Sequence, residues 1–406
     1  MAQATPLAVE GTCDPRFDLV RQEFERNFAD RGEVGASVAV TLDGKPVVEL
    51  WGGAADPATG APWTTDTVVV VWSSTKGATA ICAHVLAARG ELDLNAPVAR
   101  YWPEFAANGK EQITVRMLLN HQAGLAALRQ PLPPGAFYDW ELMTSRLAAE
   151  TPFWTPGFQR GYHGLTFGWL VGEVVRRVSG KSLGRFFKDE VASPLGLDFT
   201  IGNLPQADEA RVAPIIPQPP PDPANLSPME QAAFADPEGV TFLMIANTGG
   251  YMNPGECDTR AAHVAEIPAA GGVTNGRGLA KLYAPLANGG GGLVPESYVA
   301  RMGSVDSAGW DAVLLLPTRW SLGFTKAVDN RHLAPESSVI VSEAAFGHPG
   351  MGGSLGFADP EARMSFGYAM NKQGTGAGLN ERVQSLVDAT YKSLGYREGG
   401  AGFYVR

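Results

Sequence analysis

The apolar positions of this chain change their spacing several times, and each change marks an element. Phe17, Val20, Phe24 and Phe28 recur at three- and four-residue steps, which predicts an amphipathic helix over 17–29. Residues 34–51 read as two strands around Asp43-Gly44, a hairpin-turn dipeptide. The β-branched run Val68-Val69-Val70-Val71, closed by Trp72, predicts a buried strand or a segment leading into the core. Helical spacing then returns in Ala78, Ile81, Val85 and Ala88, with Cys82 and Leu86 beside them and Arg89-Gly90 as a stop. Leu170, Val174, Val175 and Val178 predict a helix over 166–178 that ends at Gly180, and 182–191 begins another. Residues 277–287 resume a helix, ended by the glycine run 289–292. Residues 320–326, 338–342 and 363–371 read as strands, and Leu379, Val383, Leu386, Val387 and Leu394 mark a closing helix.

Pro214, Pro217, Pro219, Pro220, Pro221, Pro223 and Pro228 interrupt this pattern. Such a stretch cannot continue a helix or a central strand, so it is expected to be a connector or a stiff loop over a cleft. Strands therefore occupy both ends of the chain and helices the middle. The expected fold is α/β (α+β): an antiparallel sheet flanked by helices, built from 1–80 and 275–406, with a mainly helical domain inserted at 81–274. An active site would lie at their junction.

Composition narrows the function. The chain has 406 residues, is 45% apolar and carries a net charge of −10, which argues against nucleic acid or an anionic membrane as a partner. Residues 1–10 lack the pattern of a signal peptide, no apolar stretch is long enough to span a bilayer, and Cys13, Cys82 and Cys257 are too scattered for a disulfide framework. A cytoplasmic location is the expectation. The six histidines form no metal-binding spacing, and no dinucleotide or Walker motif is present, so no cofactor is expected.

The chemistry starts at Ser73-Ser74-Thr75-Lys76, an S-x-x-K tetrad opening the helical pattern. Residues three apart on a helix share a face, so an amine is placed beside a hydroxyl that must lose a proton. The serine sits where backbone N–H groups lack partners and negative charge is favoured. This suits acyl transfer by a nucleophilic serine, against the bland reading of a helix cap followed by a solvated lysine. Two G-x-S-x-G matches, at Ser182 and Ser354, are rivals. No histidine follows Ser354, and Ser182 follows a helix instead of a strand, so neither suits a nucleophile elbow. Tyr162 lies on the Gly-rich loop 156–164; a nearby lysine cation would lower its pKa and make it a usable base, whereas the alternative is a tyrosine at a domain seam. Gly347-His348-Pro349-Gly350-Met351-Gly352 could bring backbone close to a ligand and supply an oxyanion donor, or form an ordinary glycine-rich hairpin.

Taken in order, S-x-x-K, Tyr162 and His348-Pro349-Gly350 resemble the motifs of the serine β-lactamase and penicillin-binding-protein superfamily. Residues 91–98, the Thr114-Val115-Arg116 to Gly124-Leu125 stretch and Pro194-Leu195-Gly196-Leu197 extend the resemblance over most of 15–395. The nearest type is the class C β-lactamase-like carboxylesterase, or family VIII esterase. The resemblance implies that Ser73 is acylated, that Lys76 activates it and that Tyr162 relays protons to the leaving group. It also implies an oxyanion hole from the backbone N–H groups of Ser73 and Met351. His348, Gly350 and Gly352 would border the substrate, and His121 would be structural. Two departures stand out. The lactamases carry Lys-Thr-Gly where this chain has His348-Pro349-Gly350, and Asn where it has Gly164. Both remove polar recognition and favour an uncharged ester over a β-lactam or D-alanyl peptide.

The expected function is a cofactor-free serine esterase acting on a small-molecule ester, with acyl transfer to alcohols as a side reaction. The alternatives are a β-lactamase, D-aminopeptidase or other amide hydrolase, and a non-catalytic binding protein of the same fold. Some of Phe137, Tyr138, Trp140, Phe153 and Trp154 are expected to line the substrate cleft.

Overall fold

A computed structural model describes residues 9–218, 226–334, 336–376 and 378–406. Pro219, Pro220, Pro221 and Pro223 lie outside the described residues. The main sheet has seven antiparallel strands. Along its path, Val9–Cys13 is followed by Lys45–Asp56, Gly35–Leu42, Met364–Met370, Leu355–Asp359 and Phe346–Pro349, and Ala61–Pro62 pairs beside Lys45–Asp56. The two chain ends meet at its centre, where Met364–Met370 pairs with Gly35–Leu42 from Met364↔Leu42 to Met370↔Ala36.

The period-2 alternation of Met364–Met370 decides what covers each face. Met364, Phe366, Tyr368 and Met370 point into a core shared with Phe17, Val20 and Phe24 at the start of the chain and Val383, Leu386 and Val387 near its end. These belong to Asp18–Asp30 with its preceding turn and to Glu381–Ser393, the predicted first and closing helices. On the opposite face stand Ser365 and Gly367. A Cβ at Gly367 would sit 2.1 Å from Gly276 O and 2.4 Å from Ala280 N, so only glycine lets the helix Gly276–Ala287 lie this close to the sheet. Ser365 Oγ donates to Ala280 O at 2.8 Å. A buried Glu33–Arg382 ion pair of 2.6 Å, joined by the Tyr368 hydroxyl, ties the strand to the closing helix and to the loop after Asp18–Asp30.

The middle of the chain is mainly helical, and its centre is Thr75–Ala88. This helix was expected to bury one face. Thr75 through Leu86 are instead buried on every side, and the polar members Thr75, Lys76, Thr79 and His84 each find a hydrogen-bond partner. A small sheet of Val69–Val70, Gly272–Thr274 and Thr200–Ile201 delivers the chain to its N-terminus.

Three local expectations change. The strand predicted over 320–326 ends at Trp320, because Gly323 adopts φ +92° in a turn closed by Ser321 N–H donating to Phe324 O at 2.8 Å. Residues 338–342 make only isolated bridges, one of them Val339 with Val328. Pro228 opens the helix Pro228–Ala235 behind a Ser227–Glu230 capping box, at the position where a missing N–H costs nothing. No helix among the described residues is long and apolar enough to cross a membrane.

Candidate active site

Ser73 lies in a 3-10 turn, Trp72–Ser74, that leads directly into Thr75–Ala88. Trp72 holds φ +46°, a left-handed conformation that costs a non-glycine residue about 1–3 kcal/mol and persists only where its surroundings impose it. Here they do. Val71 N–H donates to Gly272 O at 2.9 Å, Gly272 N–H donates to Thr75 Oγ1 at 2.9 Å, and Thr79 Oγ1 donates to Pro268 O at 2.7 Å. The tetrad is thus stitched to the segment 268–272, which in turn packs so closely on the helix Thr166–Ser179 that a Cβ at Gly168 would lie 2.5 Å from Ala269 N.

The three predicted groups converge. Lys76 Nζ and Tyr162 Oη each lie 2.9 Å from Ser73 Oγ. Lys76 also donates to Ala269 O at 3.0 Å and stands 4.9 Å from the Tyr162 ring centroid. Burial alone holds its ammonium well below the ordinary lysine range. A neutral amine bound to a carbonyl keeps its lone pair free, and the Ser73 hydroxyl is within its reach. For Tyr162 the sequence expectation is reversed. Burial pushes its phenol up, and the hydrogen bond to Ser73 only partly opposes this. The lysine that was to lower it is itself pushed toward neutrality. Burial thus biases the amine toward its neutral, basic form and the phenol toward its protonated form.

Tyr162 is fixed by groups that no motif revealed. Asp311 is buried, and its Oδ1 accepts from the N–H groups of Tyr162, Val313 and Leu314 at 3.0, 2.9 and 2.9 Å. Trp320 stacks on the Tyr162 ring at 5.5 Å with planes 4° apart, and His121 packs against Trp320 at 4.5 Å. His121 is therefore structural, as expected, but structural for the tyrosine: its Nδ1 also accepts from His163 N–H at 3.1 Å. His163 spans the loop, donating from Nδ1 to Gly161 O at 2.7 Å and accepting at Nε2 from Leu125 N–H at 2.9 Å.

The 346–354 segment borders the same site. Ser74 Oγ donates to His348 O at 3.1 Å, and Ser354 Oγ donates to Val71 O at 2.7 Å. This accounts for Ser354 without nucleophilic chemistry. Ser182, the other rival, caps the helix Leu183–Phe187 and donates to Glu266 at 2.5 Å. A Cβ at Gly350 would lie 2.3 Å from Val71 O, so glycine is what lets this strand end approach the Ser73 turn. Gly352 adopts φ +85° against Gln373. Ser73 and Met351 each stand in the first turn of a 3-10 helix, Trp72–Ser74 and Met351–Gly353, where N–H groups find no partner inside the helix. His348 is buried and its ring stands 6.1 Å from those of Tyr162 and Trp320. Burial, with Lys76 close by, pushes its pKa down to about 3. It donates from Nδ1 to Pro349 O at 2.7 Å, which leaves Nε2 as a buried acceptor without a partner.

Of the five cleft aromatics, Phe137 packs at 5.5 Å on Tyr251, which packs at 6.0 Å on Trp72, and Trp154 packs on Gly161 and His163. The others are engaged elsewhere. Tyr138 donates to Glu256, Trp140 donates to Glu173 at 2.8 Å, and Phe153 lies 3.7 Å under the Arg129 guanidinium.

Comparison with known proteins gives the family. The Beta-lactamase family model matches residues 20–389. The chain belongs to the beta-lactamase family. It is 39% identical over 378 residues to the esterase/beta-lactamase LipL of Mycobacterium tuberculosis, covering 90% of this chain and 83% of LipL. A crystal structure of a family VIII carboxylesterase superposes with a TM-score of 0.82 at 40% identity, over 95% of this chain and all of that one. A penicillin-binding-protein homolog from Caulobacter crescentus gives a TM-score of 0.81 at 35% identity, over 95% of this chain and 100% of its own. The family VIII resemblance read from the motifs is thereby upheld, and the chain is a serine hydrolase of β-lactamase fold.

Proposed function

We propose that this beta-lactamase-family enzyme is a carboxylesterase that cleaves short- to medium-chain esters through an acyl-Ser73 intermediate. The observation that carries the reading is Ser73 Oγ held at 2.9 Å by both the Lys76 amine and the Tyr162 phenol. Lys76 takes the hydroxyl proton as Oγ attacks the ester carbonyl. The tetrahedral oxyanion is held by the N–H groups of Ser73 and Met351. Tyr162 gives its proton to the departing alcohol and is reprotonated through Lys76. Water then attacks the acyl carbonyl, with the same groups in reverse, and an alcohol in place of water gives acyl transfer.

An uncharged substrate is favoured by the electrostatics. Lys76 and His348 are both pushed toward neutrality, so neither offers a fixed cation to a substrate carboxylate. LipL and the family VIII carboxylesterase support ester cleavage by their names. The name of LipL also keeps β-lactam hydrolysis as a second reading on the same serine. Ser73→Ala is expected to lower ester turnover on the order of 10⁴-fold or more, and near-normal turnover in that variant would end the proposal. A higher kcat/KM on a chromogenic cephalosporin than on p-nitrophenyl acetate would put the second reading first.

A further inference from the structure

Gly164 has no side chain because a neighbour occupies its place. A Cβ there would lie 2.5 Å from Met244 Sδ and 3.3 Å from Met244 Cγ, and 3.5 Å from Cε1 of Tyr162. Met244 therefore stands beside the tyrosine, in the space that a side chain at 164 would fill. It is carried by the short helix Val240–Ala246, which is pinned at both ends. Thr241 Oγ1 donates to Val313 O at 3.0 Å, and Val313 N–H donates to the Asp311 carboxylate that also holds Tyr162. At the other end Asn247 Nδ2 donates to Leu128 O at 2.8 Å and Gln130 O at 2.9 Å, and its Oδ1 accepts from Leu132 N–H at 2.9 Å.

Between these pins Phe242, Leu243, Met244 and Ile245 are all partly exposed, and Met244 turns toward Gly164 on the Tyr162 loop. Beneath it is a narrow slot lined by Met244, Leu243, Leu165, Leu128, Phe137 and Thr166. Its wall residue Phe137 packs on Tyr251, which packs on Trp72, the residue before Ser73, and Leu165 and Thr166 of its lining directly follow Gly164 in the chain. Thr166 Oγ1 is its one buried hydroxyl without a partner.

We infer that Met244 sets the length of the apolar chain that the ester may carry, by narrowing this slot to short chains. The inference rests on the ester reading above and names a specificity-determining residue for it. A thioether on an unbranched, adaptable side chain narrows a slot without sealing it. Removing Cγ, Sδ and Cε in Met244→Ala opens space for further methylenes along Gly164, and a filled ring in Met244→Phe closes it.

The test uses the purified full chain and two ester series. One holds p-nitrophenol constant and compares acetate with hexanoate; the other holds the acetyl group constant and compares ethyl with hexyl. Met244→Ala is expected to raise the long-to-short kcat/KM ratio on the order of tenfold in one series, and that series identifies whether acyl or alcohol occupies the slot. Met244→Phe is expected to lower the same ratio, and it carries the test if Met244→Ala fails to fold. Ratios unchanged in both series for folded variants overturn the inference while leaving esterase activity standing. A second readout, the rate at which methyl- and hexylphosphonate esters label Ser73, followed by mass spectrometry, needs no turnover. If the wild type labels with a chain-length order that Met244→Ala alters but hydrolyses no ester, the slot stands and the ester reading falls. Neither labelling nor hydrolysis overturns both.

Discussion

Tyr162 and Trp320 lie face to face, their ring centroids 5.5 Å apart and their planes within 4° of parallel. The indole fixes the plane in which the phenol can present its hydroxyl to Ser73. Misplacing a reacting group by an ångström costs far more rate than binding. Trp320→Ala is expected to lower kcat about 10- to 100-fold with a smaller change in KM. Trp320→Phe, which keeps a stacking face, should recover most of the loss. Steady-state kinetics of both variants check this, and an equal loss of kcat in the two would remove the positioning role.

Lys76 makes a prediction about pH. The working form is the neutral amine, and burial lowers the ammonium pKa. Activity is therefore lost as pH falls through that lowered value and is already on its plateau below the ordinary lysine range near 10.4. Lys76→Arg stays protonated at every accessible pH. Its turnover should fall on the order of 10³-fold and should not return at pH 10. A wild-type kcat/KM profile that kept climbing to pH 10 would contradict the assignment.

Stability should fall in mild acid. His84, His163 and His348 are buried, and burial is the main cause that pushes their pKa values down to about 4, about 4 and about 3. In the unfolded chain each titrates near 6.5. Between these limits the unfolded state binds more protons, so the contribution is full above about pH 6.5 and is lost as pH falls. The slope is roughly 1.4 kcal/mol per pH unit for each histidine. Urea midpoints measured at pH 7, 6 and 5 should decline, and His84→Phe should make the decline shallower.

Ser182 tests the rival motif. It caps Leu183–Phe187 and donates to Glu266, both structural tasks. Ser182→Ala should keep kcat/KM within about twofold while costing ~1 kcal/mol of unfolding free energy. Loss of turnover in a folded Ser182→Ala protein would reopen the question of the nucleophile.

The parts of this site that could be read from the sequence are those whose geometry is local. Ser73 and Lys76 are one helical turn apart, so their spacing already states their contact, and the hairpin at Asp43-Gly44 and the stop at Gly180 are equally short-range. The convergence of Tyr162 on Ser73 came through family resemblance, since no spacing encodes it. Asp311, Trp320 and Met244 carried no signal. Each acts through a contact between segments far apart in the chain, and each is an ordinary residue in its own neighbourhood. The ionisation states were also hidden, because a lysine's pKa is decided by how completely the fold removes it from water. Sequence patterning even gave Tyr162 the wrong direction, since it supplies neighbours but not burial.

Pairing of Gly35–Leu42 with Met364–Met370 has a consequence for how the polypeptide is made. While it is still emerging from the ribosome, the first hairpin carries an unpaired strand edge, open to any other extended segment. Its proper partner, Met364–Met370, is synthesised only after the whole helical middle of the chain. The nascent protein must keep that edge from strangers until residues 364–370 emerge, and a transcript cut short before residue 364 would yield chains fated for aggregation or degradation rather than a smaller enzyme.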